Sequence, residues 1–153
     1  MADAGGLTLR LHRELPAPRS VVFGACVEPD DLAQWWGPHD FTTPHIELDL
    51  HVGGGFRFGM QPPDGELFHL SGEFREIEPP ARLEYTFRWE EPDPDDRETV
   101  VTMSLGDRGG STELVVVQWG FATVARRTLH VDGWTDSLDR LDALMLSRRS
   151  AEG

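Results

Sequence analysis

The chain has 153 residues, the length of one ordinary domain, and a chain of this size can bury roughly 70% of its unfolded surface without disulfides or metals. Lys+Arg number 14 against 27 Asp+Glu, and the net charge of -13 excludes a non-specific nucleic-acid binder and docking on anionic lipid. The single Cys26 excludes an intrachain disulfide framework and a multi-cysteine zinc site, and the lack of lysine excludes Schiff-base chemistry and a Walker-type phosphate lysine.

Residues 7–14 alternate apolar and polar with period two, which predicts a strand ended by Pro16 and Pro18. Ser20 is placed to cap a short helix over 21–26. Pro29 and Asp30 punctuate, and 31–36 reads as a second short helix stopped by Gly37 and Pro38. Ile46, Leu48, Leu50 and Val52 alternate with Glu47, Asp49 and His51, predicting a second strand over 46–52. Gly53, Gly54 and Gly55 form a turn into a third strand carrying Phe56, Phe58 and Met60. After a Pro62–Gly65 turn, a long fourth strand spans 66–78 and closes at Pro79 and Pro80. Leu83, Tyr85, Phe87 and Trp89 then alternate with Glu84, Thr86, Arg88 and Glu90, the cleanest half-buried strand in the chain. The acidic run at 90–98 reads as a solvated loop kept mobile by charge repulsion. Residues 99–105 and 112–120 form a last hairpin.

Beyond Phe121 the period changes to about 3.6. His130, Trp134, Leu138, Leu141 and Met145 fall on one face of a long helix, widened by Val131 and Leu144. Arg148 and Arg149 suit the negative end of its dipole. No stretch approaches the roughly 18 apolar residues of a membrane span, and no signal peptide is read in the first twenty residues, so a cytoplasmic protein is expected.

Strands joined by short hairpins build an antiparallel sheet, and only the terminal helix is long enough to cover its apolar face. The fold class is therefore α+β: a seven-stranded antiparallel sheet wrapped around one long C-terminal helix, with two short helices after the first strand. One domain is expected over 1–153, with its core at about 7–147. A twisted sheet gripping one helix tolerates a ligand pocket between them.

Four phrases, in order, carry a family resemblance. They are Trp35-Trp36-Gly37-Pro38, the run from Asp49 to Gly54, the run from Gly72 to Pro80, and Gly133-Trp134 preceded by His130. Together they resemble the START/Bet v 1-like (SRPBCC) superfamily and its helix-grip fold. Within it they are similar to the bacterial branch named after the C-terminal domain of the activator of heat-shock-protein-90 ATPase. The resemblance covers roughly residues 7–146 and implies a cavity for a hydrophobic ligand. The eukaryotic co-chaperone has a separate N-terminal domain, and nothing here matches that domain, so the family name carries little weight for chaperone work.

The expected pocket lining is Trp35, Trp36, Phe41, Phe56, Phe58, Phe68, Tyr85, Phe87, Trp89, Met103, Gln118, His130, Trp134 and Leu138. Aromatic walls with few polar groups suit flat apolar ligands, whereas plain core packing is the alternative for each residue taken singly. His130, on the inner helix face, is the most chemically interesting of them, either as a ligand contact or as a structural histidine tied to a carbonyl or carboxylate. Glu76 is in phase with Phe68, Leu70 and Phe74, hence inward, and needs an arginine partner from among Arg57, Arg75 and Arg82. Asp49 is expected to make an Asx-type contact to turn amides.

His39, His45 and His51 lack metal-ligand spacing, so no metal and no cofactor are expected. There is no Gly-x-Ser-x-Gly elbow for a hydrolase, and Cys26 reads as an inert buried thiol. Val115, Val117 and Trp119 make the outer face of the last strand apolar, a face for a neighbouring loop or, in a homodimer, for a second subunit. The expected function is non-catalytic binding of a hydrophobic small molecule, aromatic or lipid-like. A polyketide cyclase/aromatase-like enzyme is the alternative, as is a stress-linked, chaperone-linked or antibiotic self-resistance interaction protein.

Overall fold

The computed structural model describes residues 7–152. Its strands are β1 (Leu7–Leu15), β2 (Thr42–Leu48), β3 (Gly55–Gln61), β4 (Phe68–Glu78), β5 (Arg82–Trp89), β6 (Thr99–Asp107) and β7 (Thr112–Phe121). Helices α1 (Arg19–Val27) and α2 (Pro29–Trp35) follow β1, and α3 (Val124–Glu152) follows β7. All seven strands form one sheet in the order β1-β7-β6-β5-β4-β3-β2, with every neighbouring pair antiparallel. The seven-stranded sheet around one long helix expected from the periodicity is present, in the helix-grip arrangement that the resemblance implies.

The inner face buries Leu9, Phe56, Phe58, Phe74, Leu83, Tyr85, Met103, Leu114 and Val116 against Trp134, Leu138, Leu141 and Met145 of α3. Each such side chain contributes about 1.5–3 kcal/mol when fully buried. The α3 stripe read from its spacing is therefore the one that packs. Close layering needs a glycine at one point: a Cβ on Gly72 would stand 1.9 Å from the Thr86 carbonyl and 2.6 Å from the Phe56 ring.

Several boundaries differ from the sequence reading, each for a local reason. α1 starts one residue before Ser20, because Pro18, with φ already near the helical value, presents its carbonyl to Val21 and Val22. α2 begins at Pro29, where a proline costs no hydrogen bond, and Asp30 and Asp31 sit favourably in the first turn.

β2 lies earlier than 46–52. From Asp49 the chain tightens into a turn in which the His51 and Gly54 amides donate to the Asp49 and His51 carbonyls. Leu50 and Val52, apolar and in phase, are left 42% and 62% exposed. The Asp49 carboxylate meets the His51 ring at 2.9 Å and caps no turn amide. Pro44 is tolerated because β2 is an edge strand.

A register shift in β4 between Phe74 and Glu76 reverses the phase of the last residues. Ile77, not Glu76, then sits opposite inward Leu83. Glu76 is turned to the rim, where Arg82 donates to it at 2.6 Å. The inward carboxylate expected from strict alternation is absent from the cavity described below.

Thr123 starts α3: its hydroxyl accepts the Arg126 amide at 3.1 Å and its carbonyl accepts the Arg127 amide. The same hydroxyl donates to Asp95 at 2.9 Å, so the acidic loop is tied to the helix at its first turn.

Candidate functional site

Between α3 and the inner ends of β3, β4 and β5 lies a cavity of about 430 Å³, within the range of small-molecule sites. Trp36, Phe41, Phe68, Phe87, Trp89 and Trp134 supply aromatic walls, with Met60 and Leu129. The rings brace one another edge to face. Trp36 meets Trp134 at 5.3 Å and Phe58 at 5.1 Å between centroids, and Phe87 meets Trp89 at 5.2 Å. Such contacts fix the orientation of the rings against one another.

Of the fourteen residues expected to line a pocket, Trp36, Phe41, Phe68, Phe87, Trp89, His130 and Trp134 lie on this cavity. The other seven do not. Phe56, Phe58 and Tyr85 surround a void of about 10 Å³ beside Cys26, too small for a ligand. Tyr85 donates to the Met103 sulfur at 4.0 Å, and its burial pushes the phenol pKa up. Burial likewise pushes the Cys26 thiol up to about 12, so it stays protonated. Trp35 is fully buried and donates to the Ala25 carbonyl at 2.9 Å, and Leu138 is core. Gln118 is enclosed behind the wall, where it accepts the Trp134 indole N–H at 2.8 Å and donates to Thr99 at 2.8 Å. It orients Trp134 without reaching the space.

His130 has both ring nitrogens engaged. Nδ1 lies 2.9 Å from the Arg126 carbonyl, and Nε2 receives the Trp89 indole N–H at 3.2 Å. An indole only donates, so Nε2 must carry the lone pair and Nδ1 the hydrogen. Protonation would set two N–H groups against each other. Burial acts in the same direction and lowers the His130 pKa from its ordinary 6.5. The ring is a neutral strut between helix and strand.

Sequence reading missed Arg126, Gly133 and Ser137 on the helix and Glu91, Asp93 and Asp96 on the loop. A signal for the helix set existed. Residues 126, 130, 133, 137 and 140 recur at spacings of four, three, four and three, a second stripe beside the apolar one.

Arg126 pairs with Asp93 at 2.9 Å, Asp95 at 3.2 Å and Asp96 at 3.4 Å. The acidic run is thus fastened across the cavity mouth, and not a free, self-repelling loop. Arg57 adds a two-point contact to Glu90 at 2.8 and 3.0 Å, which lowers the Glu90 pKa. At the other end, Arg140 reaches the carbonyls of Gln34, Trp36, Gly37 and Pro38 at 3.1–3.2 Å and fixes the loop that carries Trp36. Ser137 accepts the Gly37 amide at 3.0 Å.

Two groupings of one histidine with two carboxylates occur among the described residues: His39 with Asp136 and Asp139, and His69 with Glu90 and Glu91. Each already has a guanidinium on one carboxylate. Arg13 lies 2.9 Å from Asp139, and Arg57 holds Glu90.

Residues 16–145 match the family described as Activator of Hsp90 ATPase homolog 1-like protein. No curated protein matches the chain. Among solved structures, protein CV1439 from Chromobacterium violaceum is 31% identical with a TM-score of 0.83, covering 90% of this chain and 96% of its own. Protein NE0264 from Nitrosomonas europaea is 28% identical with a TM-score of 0.80, covering 97% and 99%. The AHSA1 (SPO3351) protein from Silicibacter pomeroyi is 27% identical with a TM-score of 0.79, covering 93% and 99%. No helix among the described residues is long and apolar enough to cross a membrane.

Proposed function

The chain belongs to the Activator of Hsp90 ATPase homolog 1-like family, and from that premise we propose that it holds a hydrophobic, aromatic or lipid-like small molecule between its sheet and α3 without catalysing a reaction. The observation that carries this reading is the cavity of about 430 Å³, walled by aromatic rings in edge-to-face contact. The absence of catalysis rests on His130. A proton carrier needs a free nitrogen near its working pH, and this imidazole has neither nitrogen free. We read the whole chain as one such domain, acting in the cytoplasm.

The test is native mass spectrometry of protein from its own host, with thermal-shift titration against a hydrophobic ligand panel. A ligand at about 100 times its dissociation constant adds roughly 2.7 kcal/mol, several degrees in melting temperature. The control is Gly133→Leu. Gly133 lines the cavity, and a Cβ built there meets nothing within 4 Å, so leucine enters empty space. A retained molecule or a shift in the wild type, lost in Gly133→Leu, supports the reading. No adduct and no shift across the panel would overturn it.

The outer face of β7 gives a second, separate expectation. Val115 and Val117 are half-buried and Trp119 is 36% exposed, a stripe suited to a second copy of the chain. Sedimentation velocity across a hundredfold concentration range, with Trp119→Arg as control, tests it. A monomer throughout removes the idea.

A further inference from the structure

The cavity is not polar in the same way at its two ends, and the difference names a ligand class. This inference rests on the reading of the cavity as a binding site. The lining residues of α3 run from Arg126 to Ser137, eleven positions, or about 16 Å along the helix at ~1.5 Å per residue.

The Ser137 end is enclosed. Ser137 is 5% exposed and Trp36 is 6% exposed. The Ser137 oxygen accepts the Gly37 amide, and its hydroxyl hydrogen has no protein acceptor among the described residues. The Trp36 indole N–H likewise donates to no described residue, unlike those of Trp35, Trp89 and Trp134. Two donors without a protein acceptor among the described residues therefore belong to the lining of the enclosed end.

The Arg126 end is open and acidic. Glu91, Asp93 and Asp96 line it, with Arg126 as the only cation there among the described residues. That guanidinium lies 2.9–3.4 Å from Asp93, Asp95 and Asp96, its buried Nε making ion pairs but no hydrogen bond, so three carboxylates share one cation and the mouth keeps a surplus of negative charge. His130 adds no charge, because its nitrogens are committed as a neutral ring.

We propose that the cavity takes an amphiphile polarised end to end. A carbonyl-type oxygen is received by Trp36 N–H and Ser137 O–H, a flat apolar body lies between the aromatic walls, and a protonated amine sits among the carboxylates at the mouth. Ligands with a carboxylate head in that position are disfavoured.

The experiment is isothermal titration calorimetry with four naphthalene probes of one frame. Three are 6-propionylnaphthalenes with a 2-aminoethoxy, methoxy or carboxymethoxy arm at position 2, and the fourth replaces the propionyl group of the methoxy probe by propyl. At 20 mM salt the amine should bind about tenfold tighter than the carboxylate, with methoxy between them, and the gap should narrow at 0.15 M salt. The ketone should bind about five- to tenfold tighter than its propyl partner.

Glu91→Gln/Asp93→Asn, a change of two mouth residues, should erase the amine preference and leave the ketone preference. Trp36→Phe should do the reverse. Should that variant not fold, the mouth variant alone still tests the charge half, and the ketone–propyl pair in wild type tests the other half. Probes that bind without this order overturn the inference and leave the cavity reading standing. If no probe binds, the inference falls, and the cavity reading is decided by the ligand panel.

Discussion

Two arginines four helical turns apart on α3 hold opposite ends of the same cavity by different physics. Arg140 serves backbone carbonyls of the Gln34–Pro38 segment, at distances of 3.1–3.2 Å. Arg126 serves carboxylates of the 90–98 run, at 2.9–3.4 Å. The carbonyls cannot titrate and cannot turn to another cation, so the Arg140 contact does not answer to salt or acid, and only the rim of that end, where Asp136 accepts the His39 amide at 3.3 Å, carries titratable groups. The carboxylates can do both, so the Arg126 end answers to salt and acid. The enclosed end of the cavity is thus built to be rigid, and the open end to be conditional.

The largest expected effect is at the rigid end. Arg140→Met keeps much of the side-chain length and strands several carbonyls, at about 2–3 kcal/mol of stability with little salt dependence. Urea unfolding at 0.05 and 1 M NaCl checks both statements, and an equally large salt effect at the two ends would dissolve the comparison.

Arg126→Met should cost less, about 1 kcal/mol or below at 0.15 M salt, because three partly solvated ion pairs are screened. The difference from wild type should shrink further in 1 M NaCl. Measured on the same unfolding curves, a loss matching that of Arg140→Met would mean that the mouth is as permanent as the floor.

Acid supplies the smallest effect and the sharpest one. The Thr123 hydroxyl and Arg126 hold the Asp95 pKa below its ordinary 3.8, and Arg57 holds that of Glu90 below 4.5. Depressed carboxylates contribute stability that is present above those ordinary values and lost as pH falls through the lower folded ones. Hydrogen exchange followed from pH 6 to pH 3 should therefore show the 90–98 segment opening at the acid end, while 34–38 stays protected. Simultaneous loss of protection in both segments would count against separate anchoring.

Much of this architecture was legible in the residues. Period-two runs such as Leu83 to Trp89 and the 3.6-period stripe from His130 to Met145 announced the sheet, the helix and the faces they share. Burial on one face forces such patterns. What was not legible depended on single backbone events. The β4 irregularity after Phe74 turned Glu76 outward, and the turn after Asp49 exposed Leu50 and Val52. Neither event changes hydrophobicity, so periodicity is blind to both.

The site divided for a different reason. Phe58 and Phe68 have the same side chain and sit on neighbouring strands, yet one packs the core and the other walls the cavity. What separates them is their neighbours: Phe58 packs on Trp36 and Phe56, whereas Phe68 stands between Phe41 and Trp89. The ion pairs of Arg126 span about thirty residues of sequence and leave no local trace.

Gly133 has one more consequence. In mid-helix a glycine costs about 1 kcal/mol relative to alanine, through backbone freedom lost on folding. Here no crowding demands it, since a methyl group at 133 would touch nothing within 4 Å. Alanine would remove that cost and take up part of the space. A chain shaped for stability alone would carry the alanine, so this helix holds a small, standing instability at the point where its backbone borders the cavity.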